Sequence, residues 1–151
     1  MRPSVTRLYQ IMSVLDVPMA AVFGSEQPEP APPLPPEAAG DEVIVVRDED
    51  AARLALSRGV RYRRLTPVAV PGMNIFESTY PPGSGSSQDG EYVRHNGREI
   101  GNVLSGRLVV DVGFESYELG PGDSIMYPST TPHRISNRGD ADAVAVWINL
   151  S

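Results

Sequence analysis

The only two histidines of the chain fall in two short blocks, His95-Asn96-Gly97-Arg98-Glu99 and Pro132-His133-Arg134-Ile135-Ser136-Asn137. Imidazole and carboxylate brought together from neighbouring strands offer two chemistries. Two neutral imidazoles and one carboxylate have the composition of a facial triad, which suits iron(II) and leaves coordination positions open for oxygen or substrate. The same groups can instead line a cavity and fix a small molecule by hydrogen bonds. The first arrangement makes an enzyme and the second a sensor. The chain has no cysteine, so disulfides, thiolate catalysis and cysteine-held metals are excluded.

The spacing of the first block leaves two geometries open. A two-residue turn at Asn96-Gly97 would pair His95 with Arg98 and put His95 and Glu99 on opposite faces. A three-residue loop would make His95 and Glu99 cross-strand neighbours on one face. His133 and Asn137 are four apart on an expected strand and therefore share a face.

The elements that must position these residues read as strands. Strands are expected over 61–65, 74–80, 91–95, 99–104, 107–112, 116–119, 124–127, 133–137 and 143–149. Turn signals such as Ser105-Gly106 and Pro121-Gly122-Asp123 fall between them. Short strands at such regular spacing belong to an all-β sandwich or barrel. The segment 81–90 (PPGSGSSQDG) is one long loop, read either as a lid or as plain mobile chain. Upstream, Val43-Ile44-Val45-Val46 reads as a buried strand, and 48–58 as a short surface helix stopped by Gly59.

The N-terminal part has a different character. Ser4 can cap a helix from Val5 to Leu15, and Pro18 can open a second one through Phe23. Gln10, Asp16 and Pro18 interrupt the apolar run, so an amphipathic helix fits better than a signal peptide. Residues 27–36 (QPEPAPPLPP) form a semi-rigid proline-rich spacer. The expected organisation is a helical stub over 1–24, a linker over 25–42 and a β domain over 43–151. A net charge of −6 argues against a broad electrostatic footprint for nucleic acid, and no apolar stretch has the length of a membrane span.

Residues 66–150 resemble a cupin domain, a double-stranded β-helix barrel of the jelly-roll type. His95, Glu99 and Gly106 fit the second histidine, the glutamate and the glycine of the first cupin motif, while Val93 stands where that motif has its first histidine. Gly113, Pro121, Gly122, His133 and Asn137 fit the second motif. The resemblance implies a mainly β fold and, in metal-binding members, a site held by three histidines and a glutamate. This chain offers His95, Glu99 and His133 for a divalent metal such as iron, manganese, nickel or zinc.

The sequence PSVTRLYQIMSVLDVPMAAVF is similar to the last two helices of the DNA-binding domain of XRE-type helix-turn-helix regulators, in which a linker and a cupin sensor follow. The block RHNGREIGNVLSG is similar to the sensor half of those proteins, some of which respond to polyamines or amino-acid-like ligands. The resemblance implies a cytoplasmic, dimeric, ligand-sensing regulator whose ligand is a polyamine, an amino acid or a small organic acid. The scanning and recognition helices of that family would lie before Met1, so DNA binding is expected only where they exist. His95, Glu99 and His133, with Glu77, Tyr127 and Trp147, are the expected ligand-binding residues. The alternative is a metal-dependent cupin enzyme of the dioxygenase or isomerase type. Arg94 and Arg134, each beside an inward histidine, are expected to point outward.

Overall fold

Alternation with a period of two builds most of the molecule, because successive strand residues face opposite sides of a sheet. The computed structural model describes residues 42–87 and 90–151. Nine strands follow one another: β1 (Arg53–Ala55), β2 (Arg61–Arg64), β3 (Met73–Tyr80), β4 (Arg98–Ser105), β5 (Leu108–Val112), β6 (Glu115–Leu119), β7 (Ser124–Pro128), β8 (His133–Ser136) and β9 (Ala143–Leu150). They form a six-stranded sheet in the order β1-β2-β3-β9-β4-β7 and a three-stranded sheet in the order β6-β5-β8. All recorded pairings are antiparallel.

The inner faces meet in one core. β3 contributes Phe76, Ser78 and Tyr80, β9 contributes Ala143, Ala145 and Trp147, and Val103, Leu108, Val110 and Ile135 come from β4, β5 and β8. Within the core Tyr62 and Tyr80 join hydroxyl to hydroxyl at 3.1 Å. Trp147 Nε1 donates to Ser78 Oγ at 3.0 Å. Gly101 makes room for the indole: a Cβ there would lie 2.4 Å from a ring carbon of Trp147.

The expected strands recur with ends shifted by a residue or two, except at 91–95. There only Val93 is paired, through a single bridge to His133. Two upstream expectations are corrected. Residues 43–46 are not a buried strand: they carry no strand pairing, and Val43 and Val45 are 92% and 63% exposed. Four apolar β-formers do not make a strand when no neighbour completes their hydrogen bonds.

Residues 48–58 are not a helix. The acidic start gives only a 3-10 turn, Asp48–Asp50, and the chain then enters the β1–β2 hairpin. The hairpin wins because it buries Leu56, Val60 and Tyr62, each at most 2% exposed. A helix would have offered the core only the thin stripe of Ala51, Leu54 and Ala55. Asp48 reinforces the hairpin by accepting from both Arg53 and Arg63 at 2.6 Å.

The segment 81–90 behaves in part as an extra edge of the barrel. Ser86 N donates to the Ile135 carbonyl, Asn137 N to the Ser84 carbonyl, and Gly85 bridges Ser136. Residues 83–87 are thus pinned along β8 and are not a lid. The expected stub and most of the linker, residues 1–41, lie outside the described residues. No helix among the described residues is long and apolar enough to cross a membrane.

Candidate functional site

Backbone hydrogen bonds hold the three chemistry-bearing residues: Glu99 lies in β4, His133 in β8, and His95 is tied to Ser129 between them. Val93 and His133 exchange both backbone hydrogen bonds at 2.9 Å, and Arg98 pairs with Pro128 where β4 meets β7. Between those pairs the chain runs on in one direction along β7 and its extension, so 95–99 is neither of the two hairpins the spacing allowed. Ser129 fixes this corner: its carbonyl accepts from His95 N at 3.0 Å and its N–H donates to the Gly97 carbonyl at 2.8 Å. Gly97 has a φ of 102°, and a Cβ there would sit 1.8 Å from the Leu150 carbonyl oxygen. Only glycine allows this approach.

The result brings His95, Glu99 and His133 together on the inside. His95 Nε2 lies 2.5 Å from Glu99 Oε1 and donates to it. His133 Nε2 lies 3.2 Å from the same oxygen. That distance permits ionic attraction, but the nitrogen is not aligned on Oε1 and has no hydrogen-bond partner. The second carboxylate oxygen accepts from the Tyr127 hydroxyl at 2.5 Å. Glu99 and His133 are both 2% exposed. The two imidazole rings meet edge to face at 5.3 Å, and Tyr127 leans on His133 at 4.9 Å.

The electrostatics follow from this packing. Burial alone would raise the Glu99 carboxyl, but the two imidazoles beside it, His133 and His95, outweigh it and hold the pKa at about 2. Burial disfavours the charged form of His133, yet the Glu99 carboxylate and the Thr131 carbonyl raise its pKa above 6.5. His133 Nδ1 is 2.8 Å from the Thr131 carbonyl. A carbonyl only accepts, so Nδ1 carries the proton and Nε2 is the nitrogen turned toward Glu99.

These residues fit a divalent cation in composition. One ligand atom from each of His95, Glu99 and His133 lies within 4.8 Å of the others. The buried Nε2 of His133 lacks an aligned partner, and its ring is oriented by a carbonyl as metal-bound imidazoles are. Val93, 5% exposed and paired with His133, places an apolar side chain on the same face.

The remaining expected residues separate. Tyr127 joins the group through Glu99. Trp147 is a core side chain bonded to Ser78. Glu77 faces outward and pairs with Arg63 at 3.1 Å, so it is not brought to Glu99. Arg134 also points outward, bonded to Asp111 and stacked over Tyr92. Asn137 is a strut: its amide donates to the Tyr80 and Ala141 carbonyls and accepts from Gly139 N. Asn74 and Asn149 are not among the expected site residues; they pair with each other, and Asn149 in turn pairs with Glu99. Counting back by two from Phe76 and on by two from Trp147 along the inward positions would have found both.

Two antiparallel sheets with an inward histidine–glutamate–histidine group define the class of protein: the chain carries a cupin domain, and the family described as Cupin domain matches residues 76–149. Over 138 residues the chain is 30% identical to the HTH-type transcriptional regulator PuuR of Escherichia coli (strain K12), covering 89% of this chain. The chain spans 66% of the length of that relative. An HTH_3 family transcriptional regulator from Vibrio cholerae aligns over 100% of this chain and 74% of its own, with a TM-score of 0.67 and 22% identity. The Cupin_2 domain of an XRE family transcriptional regulator from Enterobacter cloacae gives 0.54 at 20% identity, over 61% of this chain and 96% of its own. A cupin-superfamily sugar phosphate isomerase from Silicibacter pomeroyi gives 0.60 at 20% identity, over 72% and 76%. These structural likenesses describe a shared fold.

Proposed function

We propose that this cupin domain is the small-molecule-sensing half of an XRE-type transcriptional regulator. One observation carries the reading: a buried polar group, His95–Glu99–His133, sits inside the barrel of a chain that is 30% identical to an HTH-type regulator along 89% of its length. A polyamine, amino acid or small organic acid is held by His95, Glu99, His133 and Tyr127. Binding shifts the placement of the N-terminal region in a cytoplasmic homodimer and so changes its hold on DNA. Such coupling needs a ligand with different affinity for two states, typically worth about 1–3 kcal/mol.

Calorimetric titration of the purified, chelator-treated protein with 1,4-diaminobutane, L-glutamate and succinate tests the reading. Saturable binding of one of them, lost in Glu99→Gln, is the expected result. Absence of heat with all three refutes it.

The buried Nε2 of His133 without an aligned partner favours a second reading, a metal-dependent enzyme of the dioxygenase or isomerase type. His95, Glu99 and His133 would hold the ion, which when bound supplies a Lewis acid with open positions. Tyr127 then keeps the carboxylate oriented through its hydroxyl, and the Thr131 carbonyl keeps the His133 lone pair on Nε2. Elemental analysis of protein purified without chelator separates the two readings: stoichiometric metal that disappears in His133→Ala supports the enzyme.

A further inference from the structure

Strand register puts further polar side chains beside the histidine–glutamate group. Glu99 on β4 pairs with Tyr127 on β7 and with Asn149 on β9, and Asn149 pairs with Asn74 on β3. Directly paired residues project from the same face with Cβ atoms about 4.5–5.5 Å apart. Asn74, Asn149, Glu99 and Tyr127 therefore form one polar row across the inner face of four strands. The adjoining inward row, Phe76, Trp147, Gly101 and Ile125, is apolar and packed. The polar row thus borders the apolar core and joins it at Tyr127.

Asn149 has no structural reason to be an asparagine. Asparagine is disfavoured in strands, and the pairing of β9 with β3 and β4 needs only its backbone. Its Oδ1 is buried without a hydrogen-bond partner, as is His133 Nε2, 3.2 Å from Glu99 Oε1. A buried acceptor left unpaired lowers stability, so a polar group here is retained for something the protein fold does not supply.

We infer that Asn149, with Asn74 beside it, is a ligand-contacting residue that accepts an N–H or O–H donor from a small molecule whose other end lies against Glu99 and His133. The inference rests on the reading that the barrel takes a small molecule. It narrows that ligand to a short, two-ended polar compound that reaches from Asn149 to Glu99, neighbours on adjacent strands. An apolar ligand would leave the Asn149 acceptor unpaired.

The test uses the full chain and three variants. Asn149→Leu keeps a branched side chain of similar size and removes the unpaired acceptor. Asn149→Ala guards against a packing effect of leucine. Asn102→Leu is the control, because Asn102 faces outward to Ser124 Oγ and undergoes the same change in strand preference. In the ligand-free, chelator-treated state Asn149→Leu is expected to melt about 2–4 °C above that control. Titration with 1,4-diaminobutane, L-glutamate and succinate is expected to show that any probe bound by the wild type binds both Asn149 variants at least about tenfold more weakly.

A melting temperature for Asn149→Leu at or below the control makes Asn149 structural and overturns the inference. So does a probe that binds the wild type and both Asn149 variants alike. Failure of all three probes on the wild type counts against the sensor reading, while the melting comparison still decides whether Asn149 is held at a cost to the fold.

Discussion

Replacing Glu99 by glutamine tests whether the three inward groups hold one another. Glutamine keeps the shape of the side chain but, as protonation would, removes the charge and turns one of its two accepting ends into a donor. The carboxyl titrates at about 2 instead of 4.5, a difference worth about 3 kcal/mol in favour of the charged form. Metal-free Glu99→Gln should therefore lose about 3 kcal/mol near neutral pH, which lowers the melting temperature by roughly 10 °C for a domain of this size.

The pH dependence of the difference between wild type and variant carries the sharper information. The depressed carboxyl contributes stability that is present above pH 4.5 and lost as pH falls toward 2. The raised His133 contributes stability that is fully present below pH 6.5 and lost as pH rises through its folded value. The gap in melting temperature should be widest between about pH 4.5 and 6.5 and close on both sides. Differential scanning calorimetry of chelator-treated protein from pH 3 to 9 measures it. A gap that is absent at pH 6, or constant across the range, refutes the mutual stabilisation of Glu99 and His133.

Two further substitutions separate packing from recognition. Gly101→Ala pushes a Cβ to 2.4 Å from the ring of Trp147, which is tied by Nε1 to Ser78; overpacking of about 1–3 kcal/mol is expected, and the fluorescence of the single tryptophan should shift with it. Unchanged emission and melting would show that the indole does not lie over that glycine. Asn137→Ala removes two donors and one acceptor from backbone groups at 2.7–2.9 Å. It should cost about 2–4 kcal/mol in urea denaturation while a protein that still folds keeps its ligand affinity; a stable variant that loses binding would move Asn137 into the site.

Most of the barrel was legible because its strands show their alternation in the sequence. Phe76 to Tyr80 and Ala143 to Trp147 have inward positions that are apolar or small. The motif residues were legible too: His95, Glu99 and His133 do meet, and Tyr127 joins them. The errors have a common cause. Residues 43–46 and 48–58 were read from local preference alone, while their conformation depends on partners distant in the chain. Arg63, ten residues past Arg53, shares Asp48 with it, and no local pattern encodes that. Asn74 and Asn149 stayed hidden because a place in the expected strands 74–80 and 143–149 does not say which strands are neighbours; only the β3–β9–β4 register places them on the row of Glu99.

That row bears on the choice between metal and metabolite. A metal-centred site concentrates its donors around one point, and this one supplies three ligand atoms within 4.8 Å. Val93 adds an apolar side chain where the cupin motif has a further histidine. The unpaired acceptor of Asn149 lies on the opposite side of Glu99 from Tyr127, one strand away. Donors and acceptors distributed over three strands match a molecule with extent better than they match a single ion, whose ligands must all lie about 2 Å from it. Glu99 itself is kept firmly ionised by the two imidazoles beside it, His133 and His95. A carboxylate held by two imidazoles and a phenol presents a fixed negative face, and a ligand meeting that face gains affinity without having to order it first.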